Sequence, residues 1–250
     1  MLEDLSCPVC KTVAAPFDVL DFSRPCKYEG DQQPRLSGHP VYYYVCFKCG
    51  FCFAPEFWSW TQDNFKTQIY NEEYIRFDPD YLEKRPKGNV QFLTRLFEGK
   101  VQEITHLDYG GGDGSMSKIL SEIGWDSKSF DPFEQDAEPL EPPMSSFNLV
   151  TAFEVFEHVP DVHLLMKNLM RYLSPGGIIL FSTLLSDGHI SPGQRLTWWY
   201  VAPRNGHISI FSTNSLVLLA RAYGFQVAVV SEGVFIMYTI PPEWCSHFLK

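Results

Sequence analysis

Several groups of residues in this 250-residue chain have types and spacings that can do chemistry. Cys7-Pro8-Val9-Cys10 and Cys46-Phe47-Lys48-Cys49-Gly50 are two Cys-x-x-Cys knuckles with 35 residues between them. Four thiolates from two such turns match the tetrahedral preference of zinc, and Gly50 relaxes the second turn. Four protein ligands leave no open position, so the expected zinc is structural. Cys26 and Cys52 are substitute ligands ranked below these four. Further along, Asp108-Tyr109-Gly110-Gly111-Gly112-Asp113-Gly114 is a glycine loop carrying two acids, and Asp131 stands 21 residues after Gly110. Glu154, Glu157 and His158 are spaced by three and four, which reads as one face of a helical turn. Two carboxylates and an imidazole there can bind a divalent metal or serve as base and orienter. The plainer reading is acids at a helix start, stabilising its dipole. Trp198-Trp199-Tyr200 with Arg204 reads either as an acceptor-binding lid or as packing against the aromatic 56–77 segment.

These groups need elements to hold them. From about residue 101 strands and helices alternate. Strands are expected at 104–109, 127–131, 147–153, 178–183, 227–230 and 235–239, and helices at 115–123, 164–173 and 213–223. Pro175-Gly176-Gly177 reads as the stop of the second helix, and Ser231-Glu232-Gly233 as the turn of a hairpin. Alternating units predict a Rossmann-like, doubly wound α/β sheet, mostly parallel, with an antiparallel last strand and helices on both faces. Residues 132–146, with four prolines and four acids, read as a loop where a longer fold would place a helix and a strand. The zones expected are a zinc-ribbon-like module over 1–55, a helical linker or cap over 56–100, and the α/β domain over 101–250.

The glycine loop lies between an expected strand and an expected helix, where a backbone can turn sharply and approach a ligand. A dinucleotide loop follows Gly-x-Gly-x-x-Gly/Ala and cradles a pyrophosphate. Here the glycines fall at 110, 112 and 114, position 115 is Ser, and Asp108 and Asp113 are acidic. S-adenosylmethionine carries an ammonium and a sulfonium but no phosphate, so acids at the loop suit it. Asp131, ending the next strand, can accept both hydroxyl hydrogens of a ribose. Leu107 to Gly114 resembles motif I of class I S-adenosylmethionine-dependent methyltransferases, Leu-Asp-x-Gly-x-Gly-x-Gly. FNLVTAFEVFEHVP, from Phe147 to Pro160, resembles the fourth-strand segment of that superfamily, and Leu173 to Gly177 its fifth-strand approach. The resemblance spans about residues 88 to 240 and implies a seven-stranded sheet with an antiparallel last strand. It implies that Asp108, Tyr109, Gly110, Gly112 and Gly114 line the cofactor, Asp131 holds its ribose, and Ala152 and Phe153 flank it. The knuckles resemble the N-terminal zinc ribbons of some bacterial sugar and secondary-metabolite methyltransferases. Glu154 to His158 resembles the Glu-x-x-Glu-His of ubiquinone-pathway O-methyltransferases and small-RNA 2′-O-methyltransferases, where it holds a metal near the acceptor hydroxyl. The RNA enzymes add a downstream histidine, which His207 would supply here. The catalytic set expected is therefore Glu154, Glu157, His158 and His207, with a second divalent metal or a histidine base. Tyr70 and Tyr74 are expected to close over the cofactor.

Net charge is −10, which disfavours broad electrostatic binding to nucleic acid. No basic n-region precedes an apolar stretch, no run of eighteen apolar residues occurs, and the seven cysteines are odd in number. A cytoplasmic chain without a membrane span is the expectation. The function expected is methyl transfer to a small-molecule acceptor at oxygen, carbon or nitrogen. The alternative is a catalytically degenerate cofactor fold whose zinc ribbon binds a partner; the glycine spacing disfavours a nicotinamide oxidoreductase.

Overall fold

A computed structural model describes residues 2–26, 34–133 and 142–248. In chain order its strands are β1 (Leu5–Ser6), β2 (Val13–Asp21), β3 (Pro40–Val45), β4 (Cys52–Phe53), β5 (Thr105–Tyr109), β6 (Asp126–Phe130), β7 (Phe147–Ala152), β8 (Leu173–Ser182), β9 (Ser209–Ile210), β10 (Gln226–Ser231) and β11 (Val234–Tyr238). Its α-helices are α1 (Gln62–Gln68), α2 (Lys84–Leu96), α3 (Ser115–Glu122), α4 (Val162–Tyr172) and α5 (Thr213–Ala222). Among the described residues no helix is long and apolar enough to cross a membrane.

The residues fall into two compact units that interleave along the chain. One comprises 80–155, 164–183 and 223–250; the other comprises 1–79, 156–163 and 184–222. This grouping cuts across the composition boundaries at 55 and 100, because β9 completes the N-terminal sheet by pairing with β4.

In the first unit the described strands are ordered β10-β11-β8-β7-β5-β6. β6, β5, β7 and β8 are parallel neighbours, while β11 runs antiparallel to both β8 and β10. β7 and the second half of β8 are buried nearly throughout, as strands covered on both faces must be. From one face Leu149, Ile178, Leu180 and Ile236 meet Val90, Leu93 and Phe97 of α2 and its end, and Met116 and Leu120 of α3. From the other face Tyr109 meets Asn168 and Tyr172 of α4. Pro175-Gly176-Gly177 differs from its expected role as a helix stop: α4 ends at Tyr172 and these residues lie inside β8. The reason is close approach, since a Cβ on Gly177 would stand 3.0 Å from the Asn148 carbonyl oxygen of β7. Of the expected 132–146 loop, residues 134–141 lie outside the described residues.

In the second unit an antiparallel sheet runs β1-β2-β3-β4-β9. Its two knuckles share one geometry. Cys7 N–H donates to Thr12 O and Lys11 N–H to Cys7 O; Cys46 N–H donates to Phe51 O and Gly50 N–H to Cys46 O. The fifth residue of each is left-handed, Gly50 at φ +80° and Lys11 at φ +60°. Glycine takes that backbone freely, whereas lysine does so at a cost that the repeated turn imposes.

Candidate active site

The glycine loop follows β5 and leads into α3. Gly110, Gly112 and Gly114 have φ of +75°, +55° and +76°, so each turn needs a residue without a Cβ penalty. Gly111 is required for space instead: a Cβ there would collide with Asp108 Oδ2 and Ser129 Oγ. Gly112 N–H donates to Asp131 Oδ2 at 2.9 Å and Phe133 N–H to Asp131 Oδ1 at 2.8 Å, which fixes the Asp131 carboxylate against the loop. Asp113 accepts from Ser115 N–H and Oγ–H at the start of α3. The hydroxyl oxygen of Ser129 is buried beside Gly111 with no hydrogen-bond partner among the described residues. These observations fit a cation-bearing adenosyl ligand: a glycine turn, two carboxylates and an orphan hydroxyl lie together at one loop.

Asp108 is held by a directional relay. Thr151 Oγ–H donates to Asp108 Oδ1 at 2.9 Å. That uses the only threonine hydroxyl hydrogen, so His106 Nε2 must donate to Thr151 Oγ1 (2.9 Å) and Nδ1 must accept from Ser127 Oγ–H (2.7 Å). Burial drives the His106 imidazole down to about 3, keeping it neutral as the relay requires. Burial pushes Asp108 up to about 7; Thr151 opposes that rise and the nearby Asp131 charge adds to it. A ligand cation at the loop would reverse the shift. Of the other expected cofactor residues, Tyr109 packs its ring with Phe130 and Tyr172, so what it offers the loop is backbone. Ala152 is buried at the end of β7, and Phe153 sets its ring edge-on to Phe92. Tyr81, which no pattern in the sequence singles out, lies 3.0 Å from where a Gly112 Cβ would stand.

The second unit gathers Glu157, His158 and His207, whose ligating atoms lie within 4.8 Å of one another. Glu157 is fully buried. Glu154, Glu157 and His158 do not share the expected helical face. Glu154 has left-handed backbone (φ +53°), which breaks any helix, and only Phe156–His158 forms a single 3-10 turn. The Glu154 carboxylate is taken by Ser182, whose Oγ–H donates to Oε1 at 2.7 Å while accepting from Glu154 N–H. His207 Nδ1 lies 2.7 Å from the Tyr200 carbonyl, which can only accept, so Nδ1 carries the proton and Nε2 keeps its lone pair. Tyr200 also donates its phenol hydrogen to Glu157 Oε1 at 2.6 Å while accepting from Leu184 N–H. One tyrosine thus orients both the acid and the imidazole. Cys26 Sγ is 3.5 Å from the same Nδ1. Tyr70 packs against Tyr74 and His158 in this unit. Of the expected lid, Trp198 stacks on His189, and Arg204 donates to Ile69 O and Asn71 Oδ1 and lies over Phe77. That is the packing alternative for Arg204.

The four knuckle sulfurs also converge within 4.8 Å. Cys7 and Cys49 are 3.6 Å apart and Cys10 and Cys46 3.4 Å, far beyond a disulfide's roughly 2.05 Å. A tetrahedral zinc with ~2.3 Å sulfur bonds needs sulfurs about 3.8 Å apart. The Cys49 thiol alongside holds the Cys7 thiol down to about 7, while Cys49 itself is pushed up, chiefly by Cys7. Cys52 is buried and pushed above its ordinary range by desolvation, the behaviour of a core thiol.

A mostly parallel sheet with one antiparallel strand, and a glycine loop after β5 with an acid after β6, defines a methyltransferase-like α/β fold. Residues 81–230 match a family model described as a methyltransferase domain, more than half of the chain, and the protein belongs to that family. It is similar to the ubiquinone biosynthesis O-methyltransferase of Paramagnetospirillum magneticum, 31% identical over 117 residues, covering 39% of this chain and 45% of that one. It is likewise similar to the enzyme of that name from Idiomarina loihiensis, 31% identical over 161 residues, covering 52% and 64%. The chain thus spans about half the length of the curated relatives it matches. An O-methyltransferase family protein from Burkholderia thailandensis aligns in structure over 76% of this chain and 71% of that one, at 13% identity and a TM-score of 0.46.

Proposed function

We propose that the protein is an S-adenosylmethionine-dependent methyltransferase acting on a hydroxyl of a small-molecule acceptor. The observation that carries the acceptor half is the convergence of Glu157, His158 and His207. One carboxylate and two imidazoles are a donor set for a divalent cation, and the His207 tautomer keeps the lone pair on Nε2. A cation there would lower the pKa of an acceptor hydroxyl. The similarity to ubiquinone biosynthesis O-methyltransferases supports the same reading.

S-adenosylmethionine, when bound, supplies a methyl carbon already activated by a sulfonium leaving group. What the chain must add is alignment and removal of a proton. Asp108 complements the ligand's positive charge, Asp131 accepts from its ribose, and the glycines admit it to the backbone. Glu157, His158 and His207 take up the acceptor hydroxyl and its proton. Cys7, Cys10, Cys46 and Cys49 hold a structural zinc.

The test is calorimetric titration with S-adenosylmethionine and, in parallel, NADH, followed by radiolabelled methyl transfer to a panel of phenols and alcohols. Saturable binding of the first ligand alone is expected. Replacing Glu157 and His158 together by alanine should abolish turnover and spare cofactor binding. No binding at millimolar cofactor would favour the degenerate-scaffold alternative, and full activity of the double variant would discard the acceptor site.

A further inference from the structure

The residues on either side of His207 are strung between the cysteine module and the Glu157 turn. Tyr43, fully buried on β3, donates its phenol hydrogen to the His207 carbonyl at 2.8 Å. Ala54 N–H donates to Ile208 O at 3.0 Å, and β4 then pairs Phe53 with Ser209 and Cys52 with Ile210. From the opposite edge Ile208 N–H donates to Glu157 O at 2.9 Å, and Ser209 Oγ–H to Val159 O. Just beyond β9, Ser212 Oγ–H donates to Cys49 O, an approach that needs Gly50: a Cβ there would lie 2.5 Å from Ser212 Oγ.

The elements making these contacts are the two arms of one hairpin, β3 and β4, and the turn joining them is the second knuckle, Cys46 to Phe51. Two-residue strands such as β4 and β9 are far too short to hold register alone. Something must fix the hairpin, and the sulfur cluster at its tip is the group placed to do so. We propose that the Cys7–Cys10–Cys46–Cys49 cluster is the clamp that positions His207, so that closing it assembles the acceptor-side cluster. This rests on the reading of those cysteines and of His207 given above. It assigns the N-terminal module a role inside the active site rather than that of a partner-binding appendage. Tyr43 is then a positioning residue, acting on the imidazole through the backbone that carries it.

Two variants of the full chain test this. Cys10→Ser with Cys46→Ser opens the clamp. Tyr43→Phe leaves all four sulfurs in place and deletes one hydroxyl. Three quantities are read: Mn²⁺ affinity by electron paramagnetic resonance, amide exchange at Ala54 and Ile208, and S-adenosylmethionine affinity by calorimetry. The cysteine variant is expected to lose about tenfold or more in Mn²⁺ affinity and to exchange faster at both amides. Its cofactor dissociation constant should stay within about twofold, because the glycine loop belongs to the other compact unit. Tyr43→Phe should keep its zinc content and lose Mn²⁺ affinity about threefold or more. Wild-type Mn²⁺ affinity and exchange in both variants would overturn the proposal, as would an equal loss of cofactor affinity in either. Should the cysteine variant fail to fold, Tyr43→Phe decides alone. Should the wild-type chain take no Mn²⁺, the metal reading of Glu157, His158 and His207 falls, while exchange at Ala54 and Ile208 still decides the clamp.

Discussion

Asp108→Asn should stabilise the cofactor-free protein at alkaline pH while weakening cofactor binding. The carboxyl is fully desolvated, and burial moves it from 3.8 to about 7. A folded-state pKa above the unfolded one means that the native chain binds more protons between those values, so stability falls as pH rises through that window. The stabilising contribution is complete below about pH 4 and lost above about pH 7. Roughly three units at about 1.36 kcal/mol each put the cost of the buried carboxylate near ~4 kcal/mol at pH 8. An asparagine has nearly the same shape and can still accept from Thr151, so it avoids that cost. For a chain of this size ~1 kcal/mol moves Tm by about 2–4 °C, so the variant should melt about 8–16 °C higher at pH 8 and within a degree or two of wild type near pH 4. Thermal melts at the two pH values measure this, and calorimetry should find S-adenosylmethionine affinity lowered at least about tenfold, since a ligand cation recovers its interaction only from a carboxylate. An equal Tm difference at both pH values would refute the titration argument, and wild-type cofactor affinity would refute the assigned role.

Two shorter predictions concern single contacts. Tyr200→Phe removes the donor to Glu157 Oε1 but keeps the ring and the carbonyl that accepts from His207. Turnover and Mn²⁺ affinity should fall by about 10–100-fold with cofactor affinity unchanged, and urea melts should show a loss of roughly 1.5–3 kcal/mol. Gly111→Ala inserts a methyl between Asp108 Oδ2 and Ser129 Oγ. Because the φ of Gly111 is ordinary, the effect is steric, and calorimetry should show cofactor affinity reduced at least about tenfold.

The sequence by itself determined what contiguous residues decide. Strand and helix periods placed the larger sheet to within a residue or two at most ends, and the glycines at 110, 112 and 114 with Asp108 and Asp113 marked the turn between β5 and α3. The paired knuckles named four sulfurs that do converge. Each of these follows from short-range geometry: a period, a turn, a spacing of three. The same local reasoning misjudged Glu154 to His158, since equal spacing implies a shared face only if the backbone is helical, and Glu154 at φ +53° is not. Pro175-Gly176-Gly177 misled for a similar reason, because those glycines serve a neighbouring strand rather than the helix before them. The meeting of His207 with Glu157 across 50 residues was expected from a family resemblance, not from any period in the chain. Only the three-dimensional arrangement brings Tyr43 to His207 across 164 residues and lets Tyr200 hold both partners through its two ends. Such contacts depend on sheet register and on which strand pairs with which, and no periodicity in the chain encodes a partner that lies in another element.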